Sequence, residues 1–440
     1  MSTLKFTRPE HWDRIEQHLA EAHGERFAFA FTRLLHNGES GPVLEVVDIA
    51  LIGDEEIEPN HDGWCLADVA LDRIHNQAVA TGQGLVEFHN HRLEPPRFSP
   101  VDERALAEMS PYAVDLLNGR PYAAAVWARG MVRADWWRPG AEADAELERK
   151  PFDTVTVLDD NIKVLNAPAT TDTRFARQTP LLGPRAQAAV AALRVAVVGA
   201  GGTGSHVVLG LAYLGFRNVI VLDDDLVETT NLNRLVTADQ ADVGSPKTIV
   251  TRRRMRAIDP SIEVQIFPGL TPAGEHPELH DVDLLICCVD HDGPRHRLNQ
   301  IAIDTRTPFL DIATGIDDHQ QPVALGGHVF FRLPGAACLT CLNELDSAEI
   351  SRWAKPDHQQ AVDRLHGYGT GVANPSVVYL NGLTVHAALA ELGAWISGAR
   401  EPARWLDIDL FGTLKSPGTQ VGPRRIPERV PGCIDCGYDK

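Results

Sequence analysis

The sequence lacks several features that would place the protein in a special class. Residues 1–6 contain no apolar run of the kind that signal peptides carry, and no uninterrupted apolar stretch is long enough to cross a bilayer. There is no internal repeat and no low-complexity tract. Hydrophobic residues make up 44% and charged residues 23% of the 440 positions, which is ordinary for a globular chain of two or three domains. We therefore expect a folded cytoplasmic protein without membrane segments.

Basic residues are also scarce. The net charge is −19, and the one dense basic cluster lies on a predicted helix, at Arg252, Arg253, Arg254 and Arg256. A nucleic-acid backbone is attracted by a broad positive surface, so this balance argues against a nucleic-acid partner. We interpret the cluster as a solvated helix face or as a contact for an acidic partner.

Cysteine is rare, and its spacing is informative. Two CxxC pairs, Cys338/Cys341 and Cys433/Cys436, each follow a Pro-Gly turn. Two such pairs are typical of a tetrahedral structural zinc site, whereas disulfides are disfavoured in the cytosol. We interpret the remaining cysteines as small buried apolar residues: Cys65, Cys287 and Cys288.

The hydrophobic pattern divides the chain near residue 165. Residues 1–165 read as an α+β domain, with predicted helices at 10–22, 65–80 and 100–109, strands at 27–35, 43–52, 84–91, 123–127 and 155–158, and a loop at 138–151. In residues 166–440, strands at 194–198, 218–222, 283–289 and 308–312 alternate with helices. This alternation predicts an α/β fold with a Rossmann-like, doubly wound and mostly parallel sheet.

A metal-binding pattern follows the strand at 84–91. His89 and His91 are two residues apart, so both imidazoles face one side of a strand, and Asp102 can return from the next helix as a third ligand. Three protein ligands leave a position for a water whose pKa zinc lowers toward ~7. Ser99 lies where its hydroxyl could stabilise the oxyanion of a tetrahedral intermediate. The H-x-H-x7-S-x2-D pattern therefore predicts a hydrolytic zinc site.

This pattern resembles the JAMM motif of the JAB/MPN metalloproteases, and the resemblance covers about residues 1–165. It implies a zinc-dependent peptidase that cleaves after the terminal glycine of ubiquitin-like proteins. By the same resemblance the catalytic glutamate is Glu25, with Glu45 as the competing candidate. Two features differ from the family: Asn90 stands between the histidines where Ser or Thr is commoner, and the strand after Glu25 lacks the usual glycines.

A glycine-rich loop follows the strand at 194–198. Its glycines are Gly199, Gly201, Gly202 and Gly204, and such a loop before a helix lets backbone N–H groups approach phosphates. An NAD-dependent dehydrogenase would carry a similar loop, with Asp223 as its ribose acid. The residues that follow favour phosphate chemistry instead, because cations and a strand-end carboxylate suit the displacement of pyrophosphate from ATP: Asn231, Arg234, Lys247 and Asp290.

The second pattern resembles the ubiquitin-activating superfamily, including the ThiF and MoeB adenylyltransferases, over about residues 170–440. The resemblance implies that Asp223 holds the ribose, Asn231 and Arg234 the phosphates, Lys247 the transition-state charge and Asp290 magnesium. It also implies that Arg177 reaches into the site of a neighbouring subunit, which predicts a homodimer. The CxxC pairs match the family's structural zinc.

Together the two resemblances predict a bifunctional protein, whose partner is a ubiquitin-like or sulfur-carrier protein ending in Gly-Gly. Residues 342–432 contain no cysteine, so no thioester can form there, and the acyl-adenylate must pass to a sulfur donor, a conjugating enzyme or another acceptor. Two alternatives remain open at this stage. One is a non-catalytic scaffold for ubiquitin-like proteins, and the other is ThiF-like adenylation of a peptide or an RNA nucleoside.

Overall fold

The computed structural model describes residues 2–21, 24–38, 41–60, 63–92, 95–139, 147–159, 161–166, 172–317, 324–355, 376–410, 412–413, 416–424 and 428–437. Contacts separate two compact units, Met1–Ala169 and Thr170–Lys440, close to the boundary predicted at residue 165. Each unit has its own sheet and its own core. Within the described ranges, no helix combines the length and the apolar character that a membrane span requires.

The first unit is built on a nine-stranded mixed sheet in the order β11-β10-β1-β3-β2-β6-β7-β8-β9. Its elements are β1 (Thr3–Phe6), α1 (Pro9–Ala20), β2 (Phe27–Gly38), β3 (Gly41–Leu51), β4 (Ile57–Asn60), β5 (Gly63–Leu66), α2 (Asp68–Thr81), β6 (Gly84–Asn90), α3 (Pro100–Leu116), β7 (Tyr122–Ala128), β8 (Met131–Arg138), β9 (Glu148–Pro151), β10 (Thr154–Leu158) and β11 (Ile162–Val164). Strands β4 and β5 form a separate hairpin.

Both faces of this sheet are buried, and β2 shows how the sequence fills them. Ala28 and Ala30 face a cluster that α1 supplies with large apolar side chains. The intervening Phe27, Phe29 and Phe31 face a second cluster that contains residues of α2 and α3. Because side chains alternate along a strand, small residues lie under α1 and aromatic residues under the other two helices.

Three predicted elements of this unit differ from the structure. Helix α3 runs to Leu116 rather than ending near residue 109, because Pro111 lies on its exposed side while the buried side stays apolar on either side of it. Cys65 lies in β5, half-buried, and α2 begins only at Asp68. The predicted loop at 138–151 contains β9, and its residues 140–146 lie outside the described residues.

The second unit is built on an eight-stranded sheet in the order β14-β13-β12-β15-β16-β17-β18-β21. Its elements are α4 (Thr179–Leu182), α5 (Pro184–Ala192), β12 (Arg194–Val198), α6 (Gly202–Leu214), β13 (Asn218–Leu222), α7 (Lys247–Ile258), β14 (Glu263–Phe267), β15 (Leu284–Cys287), α8 (Asp292–Asp304), β16 (Phe309–Asp317), β17 (Ala324–Arg332), α9 (Leu339–Leu342), α10 (Ser347–Trp353), α11 (Val378–Ser397), β18 (Trp405–Asp409), β19 (Gly412–Thr413), β20 (Ser416–Pro417) and β21 (Gln420–Pro423).

Strands β14, β13, β12, β15 and β16 are parallel, as expected for a doubly wound sheet. Strands β17, β18 and β21 extend the sheet by antiparallel pairing, which the sequence analysis did not foresee. The strand order changes direction at β12, which lies between β13 and β15. Loops at such a switch point diverge and leave a crevice at the carboxyl ends of the strands.

The glycine loop connects β12 to α6 in a conformation that side chains would obstruct. Gly199 has a φ of +93°, and a Cβ built there would lie 2.7 Å from the carbonyl oxygen of Cys288. A Cβ on Gly204 would lie 1.9 Å from the carbonyl oxygen of Gly199, which is far inside contact distance. Gly201 has a negative φ and would bring its Cβ within 4 Å of nothing. The tight turn therefore depends on Gly199 and Gly204, and not on Gly201.

We predict that Gly204→Ala destabilises the full chain by about 2 kcal/mol or more, because backbone must move to admit the methyl group. Gly201→Ala is the matched control and should change the stability by less than about 0.5 kcal/mol. Calorimetric unfolding without nucleotide measures both. Equal stabilities of the two variants would contradict the described loop.

Candidate functional site

Four potential metal ligands converge in the first unit. One ligand atom from each of Glu25, His89, His91 and Asp102 lies within 4.8 Å of the others. His89 comes from β6, His91 follows directly after that strand, and Asp102 lies in the first turn of α3. Glu25 precedes β2, whose first residue pairs with His89 across the sheet. The set of two imidazoles and two carboxylates suits zinc.

A helix cap orients Asp102 toward the histidines. The hydroxyl of Ser99 accepts a hydrogen bond from the Asp102 N–H at 3.2 Å, and Asp102 Oδ2 accepts one from the Ser99 N–H at 2.6 Å. The same Oδ2 lies 3.5 Å from His89 Nε2 and 3.3 Å from His91 Nε2. The Ser-x-x-Asp spacing thus makes a capping box and also brings a candidate ligand to the histidines. Because the Ser99 oxygen only accepts in this cap, its proton stays available to donate.

The carboxylates around His89 make this site favourable for a positive charge. Burial lowers the pKa of His89, but Asp102, Glu87 and Glu25 more than offset this effect and raise it. Burial raises the pKa of Asp102, but the His89 imidazole and the Ser99 bonds outweigh it and lower that pKa to about 2. Burial also raises the pKa of Glu25. His89 Nε2 is buried without a hydrogen-bond partner, which is the state expected of a nitrogen that binds a metal.

The two glutamates proposed for the catalytic position lie in different surroundings. Glu45 is buried in β3, where its carboxylate pairs with Arg33 at 2.6 Å and accepts a hydrogen bond from the Thr7 hydroxyl at 2.6 Å. It is not a member of the ligand cluster, whereas Glu25 is. Glu45 therefore pairs with Arg33 and Thr7, and Glu25 lies beside the candidate metal ligands.

A third carboxylate, which was not predicted from the sequence, lies near these candidate ligands. Glu87 precedes His89 by two residues on β6 and accepts a hydrogen bond from the Tyr122 hydroxyl at 3.1 Å. Burial raises its pKa above the ordinary value, although His89 and Tyr122 oppose the shift. Its spacing of two residues from His89 was a signal that could have identified it, since both side chains must face the same side of the strand.

The second unit holds a cleft of about 530 Å³ at the carboxyl ends of its parallel strands. Its wall includes the glycine loop, two strand-end acidic segments, two cations and the ends of β16 and α11. The residues that line it include Gly199, Gly201, Gly202, Asp223, Arg234, Lys247, Asp290, Thr314, Ser376 and Asn381. Gly204 does not line the cleft and instead shapes the turn behind it.

Asp223 fixes the glycine loop to the end of β13. Its Oδ2 accepts a hydrogen bond from the Ala200 N–H at 2.6 Å, and its Oδ1 accepts one from the Asp225 N–H at 2.9 Å. Burial raises the pKa of this carboxyl, while Lys247 and the two backbone bonds oppose the shift. Helix α6 begins next to this loop without a side-chain cap, so its first N–H groups remain available for an anion.

Two cations reach the same wall from different elements. The ammonium of Lys247, which is buried at the start of α7, lies 2.6 Å from Asp225 Oδ2. The Arg234 guanidinium donates hydrogen bonds to the Thr230 carbonyl at 2.7 Å and to Asn233 Oδ1 at 3.0 Å. Both side chains line the cleft and provide positive charge close to the glycine loop.

Two residues of the predicted set lie outside this wall. The side chain of Asn231 accepts a hydrogen bond from the Glu228 N–H at 3.1 Å, so it caps the short 3-10 turn at Thr229–Asn231. Arg177 is exposed and does not belong to the lining of the cleft within this chain. An arginine in such a position is free to approach a site on another molecule.

Asp290 also lines the cleft and is exposed to solvent. A buried arginine that the sequence analysis missed holds the backbone around it. Arg295 donates hydrogen bonds to the Val289 carbonyl at 2.9 Å, to Asp292 at 2.6 Å and to the buried Asp311 at 3.0 Å. The loop that carries Asp290 is therefore fastened on both sides of that residue.

Asn381 of α11 is a second wall residue that the sequence analysis did not identify. It is only 1% exposed, and its side chain hydrogen-bonds to the hydroxyls of Thr314 at 3.0 Å and Ser376 at 3.2 Å. A Cβ on Gly202 would lie 2.4 Å from its Nδ2, so the amide packs directly against the glycine loop. No short motif surrounds Asn381, and only the fold brings it to the loop.

The four cysteines of the two CxxC pairs form one cluster. Sulfur–sulfur distances are 3.9 Å for Cys338–Cys341, 3.8 Å for Cys338–Cys433 and 3.3 Å for Cys341–Cys436. A tetrahedral zinc ion with Zn–S bonds of ~2.3 Å requires sulfur atoms about 3.8 Å apart. The cluster can therefore hold zinc.

Helix α8 anchors this cluster through Asp435, which lies between the last two cysteines. Its carboxylate accepts hydrogen bonds from Gln300 at 3.1 Å and from the Thr340 hydroxyl, and it lies 2.9 Å from His296 Nε2. Burial raises the pKa of Asp435, but His296, Thr340 and Gln300 outweigh this and lower it to about 2. These contacts of Asp435 explain how two CxxC pairs that lie 95 positions apart in sequence are held in one cluster.

The chain is similar in sequence to several adenylyltransferases. The chain is 33% identical over 172 residues to the sulfur carrier protein adenylyltransferase of Thermus thermophilus, which covers 38% of this chain and 63% of that protein. It is 26% identical to the sulfur carrier protein ThiS adenylyltransferase of Escherichia coli, over 56% of this chain and 86% of that protein. Among solved structures, Escherichia coli MccB with MccA-N7isoASN aligns with a TM-score of 0.47 and 20% identity, over 61% of this chain and 76% of that one.

The model of the ThiF family matches residues 175–404. The matched segment contains the glycine loop, both cations of the cleft, Asp290 and the first CxxC pair, and it does not extend into the first unit. Since it includes more than half of the 440 residues, the chain belongs to the ThiF family.

Proposed function

We propose that the second unit uses ATP to adenylate the C-terminal glycine of a ubiquitin-like or sulfur-carrier protein. The observation that carries the proposal is the cleft itself, which brings the uncapped start of α6, Arg234, Lys247 and Asp290 to one wall. The names of the two similar adenylyltransferases, which act on sulfur carrier proteins, support this substrate class.

The reaction joins two anions, so charge compensation dominates its barrier. A carboxylate oxygen of the terminal glycine attacks the α-phosphorus of ATP, the bond to the β-phosphate oxygen breaks, and pyrophosphate leaves with the bonding electrons. We assign the glycine loop and Arg234 to the phosphates, and Asp223 to the ribose. The phosphate role expected for Asn231 is not carried over, because Asn231 lies outside the lining of the cleft and its side chain accepts from the Glu228 N–H. Lys247 keeps N–H groups for phosphate oxygens while paired with Asp225, because an ammonium has three donors.

Magnesium, when bound with ATP, neutralises phosphate charge, and we assign Asp290 to hold it. The exposed carboxylate on a loop fastened by Arg295 suits this role, because a metal ligand must be open to solvent and yet held in place. We also propose that the four-cysteine cluster holds a structural zinc ion, which fits the sulfur–sulfur distances given above.

The product must leave this chain without a covalent cysteine intermediate. Residues 342–432 contain no cysteine, and the two pairs that flank this range belong to the four-cysteine cluster. We propose direct transfer of the acyl group to a sulfur donor or to a conjugating enzyme. We also propose that the protein works as a homodimer, in which the exposed Arg177 completes the cleft of the partner subunit.

For the first unit we propose a zinc-dependent peptidase of the JAMM type. The supporting observation is the convergence of Glu25, His89, His91 and Asp102, together with the unpartnered Nε2 of His89. Zinc, when bound by the two histidines and Asp102, would supply Lewis acidity and a water of lowered pKa. Glu25 would take the proton from the attacking water and deliver it to the leaving amine, and the Ser99 hydroxyl would donate to the developing oxyanion.

The two activities fit one pathway. A carrier with residues beyond its terminal glycines lacks the carboxylate that adenylation needs, and cleavage after the glycine would create it. We therefore propose that the first unit trims or releases the same tail that the second unit activates.

The first prediction from the proposed function concerns Asp290. Asp290→Ala should reduce carrier-dependent ATP–pyrophosphate exchange by about 10²-fold or more, because the magnesium ligand is lost. Asp115→Ala, which removes an exposed carboxylate from α3, is the control for charge and should retain full exchange. Undiminished exchange in Asp290→Ala would remove the assignment of this residue. No exchange by the wild-type chain with any Gly-Gly carrier, but exchange with a peptide or nucleoside, would favour the alternative substrates.

The second prediction concerns metal content. The protein should contain two zinc ions of different lability, because four thiolates close one site while the histidine site keeps an open position. Mild chelation should remove one zinc and the peptidase activity, and adenylation should survive. His91→Ala should lack only the labile ion, and Cys338→Ser should lose the tightly held ion and unfold more easily. A single zinc ion in untreated, active protein is the result that contradicts this.

The third prediction concerns Glu25. Glu25→Ala should retain zinc but cleave ~10²- to 10⁴-fold more slowly, because it loses the proton shuttle. Such a variant should still adenylate a carrier that ends in Gly-Gly and should fail with an extended carrier. Pyrophosphate release measured with both carrier forms tests this directly. Normal turnover of the extended form would exclude the trimming role, and full cleavage by the variant would move the catalytic carboxylate away from Glu25.

A further inference from the structure

We propose that Asn90 is a positioning residue, whose side-chain amide holds the segment carrying Glu25 in place beside the two histidines. The inference deepens the proposed peptidase function and rests on it. Asn90 stands between the two metal-binding histidines in sequence, at the position where the JAMM family more often has Ser or Thr.

Three hydrogen bonds carry this proposal. Asn90 Oδ1 accepts a hydrogen bond from the Arg26 N–H at 2.7 Å. Its Nδ2 donates to the carbonyl oxygens of Gly24 at 3.2 Å and Leu19 at 3.1 Å. Gly24 and Arg26 are the two neighbours of Glu25, so a single side chain grips the backbone on both sides of the glutamate. The bond to Leu19 ties the same amide to the last turns of α1.

The alternation of β6 places the amide where it can do this. Phe88 packs in the cluster on the α1 side of the sheet, together with Leu19. His89 lies against Phe27 and Phe98, which belong to the cluster on the opposite side. Asn90, two residues after Phe88, therefore turns toward α1. One strand supplies metal ligands to one side and the clamp for Glu25 to the other.

Glu25 needs such a clamp because regular structure does not hold it. It lies between the end of α1 at Ala20 and the start of β2 at Phe27, and the sheet register begins only at Phe27. Arg26 also forms an ion pair with Asp54 at 2.8 Å, but the Asp54 side chain is 77% exposed, and exposed pairs restrain little. Among the contacts of the described residues, the amide bonds are therefore the ones that hold the backbone on both sides of Glu25.

The chemistry of the bonds explains why this position holds an amide. The segment presents one N–H group and two carbonyl oxygens, which require one acceptor and two donors. A carboxamide supplies this set, whereas the hydroxyl of Ser or Thr has a single donor. An Asp side chain would keep the acceptor and lose both donors, and its charge would face two carbonyl oxygens. The donors and the acceptor of the Asn90 side chain thus match the backbone groups that this segment presents.

The first unit contains a matched control. Asn166 makes the same three kinds of bond elsewhere in the unit: its Oδ1 accepts from the Val155 N–H at 2.9 Å, and its Nδ2 donates to the carbonyls of Phe152 at 3.1 Å and Asp153 at 3.2 Å. It is not a member of the metal cluster. Asn166→Ala therefore removes an equivalent set of bonds without touching the Glu25 segment.

Hydrogen exchange on the full-length, zinc-loaded protein tests the clamp without any substrate. Asn90→Ala and Asn90→Asp should both increase deuterium uptake at the amides of residues 24–27 by about tenfold, since each loses the bonds to Gly24 and Leu19. Asn166→Ala should increase uptake near residues 152–155 and leave 24–27 unchanged. Unaltered uptake at 24–27 in both Asn90 variants would overturn the proposal.

Kinetics then test whether the clamp serves catalysis. With a peptide that ends in Gly-Gly joined to aminomethylcoumarin as the probe, Asn90→Ala and Asn90→Asp should lower kcat by about 10²-fold with unchanged KM and zinc content, because the proton shuttle is misplaced. Asn166→Ala should retain the wild-type kcat. A wild-type kcat in the Asn90 variants would overturn the positioning role. Failure of the wild-type protein to cleave the probe would count against the proposed peptidase, and the exchange result would still decide the clamp.

Discussion

The close approach of a helix to the end of a strand is the constraint on which the second unit depends. Gly204 of α6 packs against the carbonyl of Gly199 with no room for a single methyl group. This contact allows the start of α6 to pack closely against the end of β12. The first N–H groups of α6 have no side-chain cap and lie beside the cleft. Asp223 then fixes the loop from the neighbouring strand by accepting a hydrogen bond from the Ala200 N–H.

The first unit uses a helix start for the opposite purpose. The N–H groups at the start of α3 are engaged by its own Ser99, and Asp102 extends from that cap toward the histidines. A helix start with free amides suits an anion, and a capped helix that presents a carboxylate suits a cation. The two proposed sites, of opposite charge, thus rest on the same backbone feature, depending on whether Gly or Ser and Asp occupy the start of the helix.

The sequence predicted those parts of both sites that are local. The spacing of His89, His91 and Asp102 follows from strand alternation and a helix cap, and the glycine loop follows from one strand and one helix. The parts that it did not predict depend on distant residues. Arg295 and Asn381 carry no motif, and their roles arise only when α8 and α11 pack beside the cleft. Helix α3 passes through Pro111 because burial of one face outweighs a lost backbone bond, which local rules do not weigh.

Helix α8 connects the loop that carries Asp290 with the four-cysteine cluster. Arg295 holds the loop of Asp290, while the adjacent His296, together with Gln300 in the next turn, holds the cysteine cluster through Asp435. Because both sets of contacts belong to one helix, a displacement of the cluster would be carried by α8 to the Asp290 loop. The geometry of the proposed adenylation site thereby depends on a cluster that takes no part in the proposed reaction.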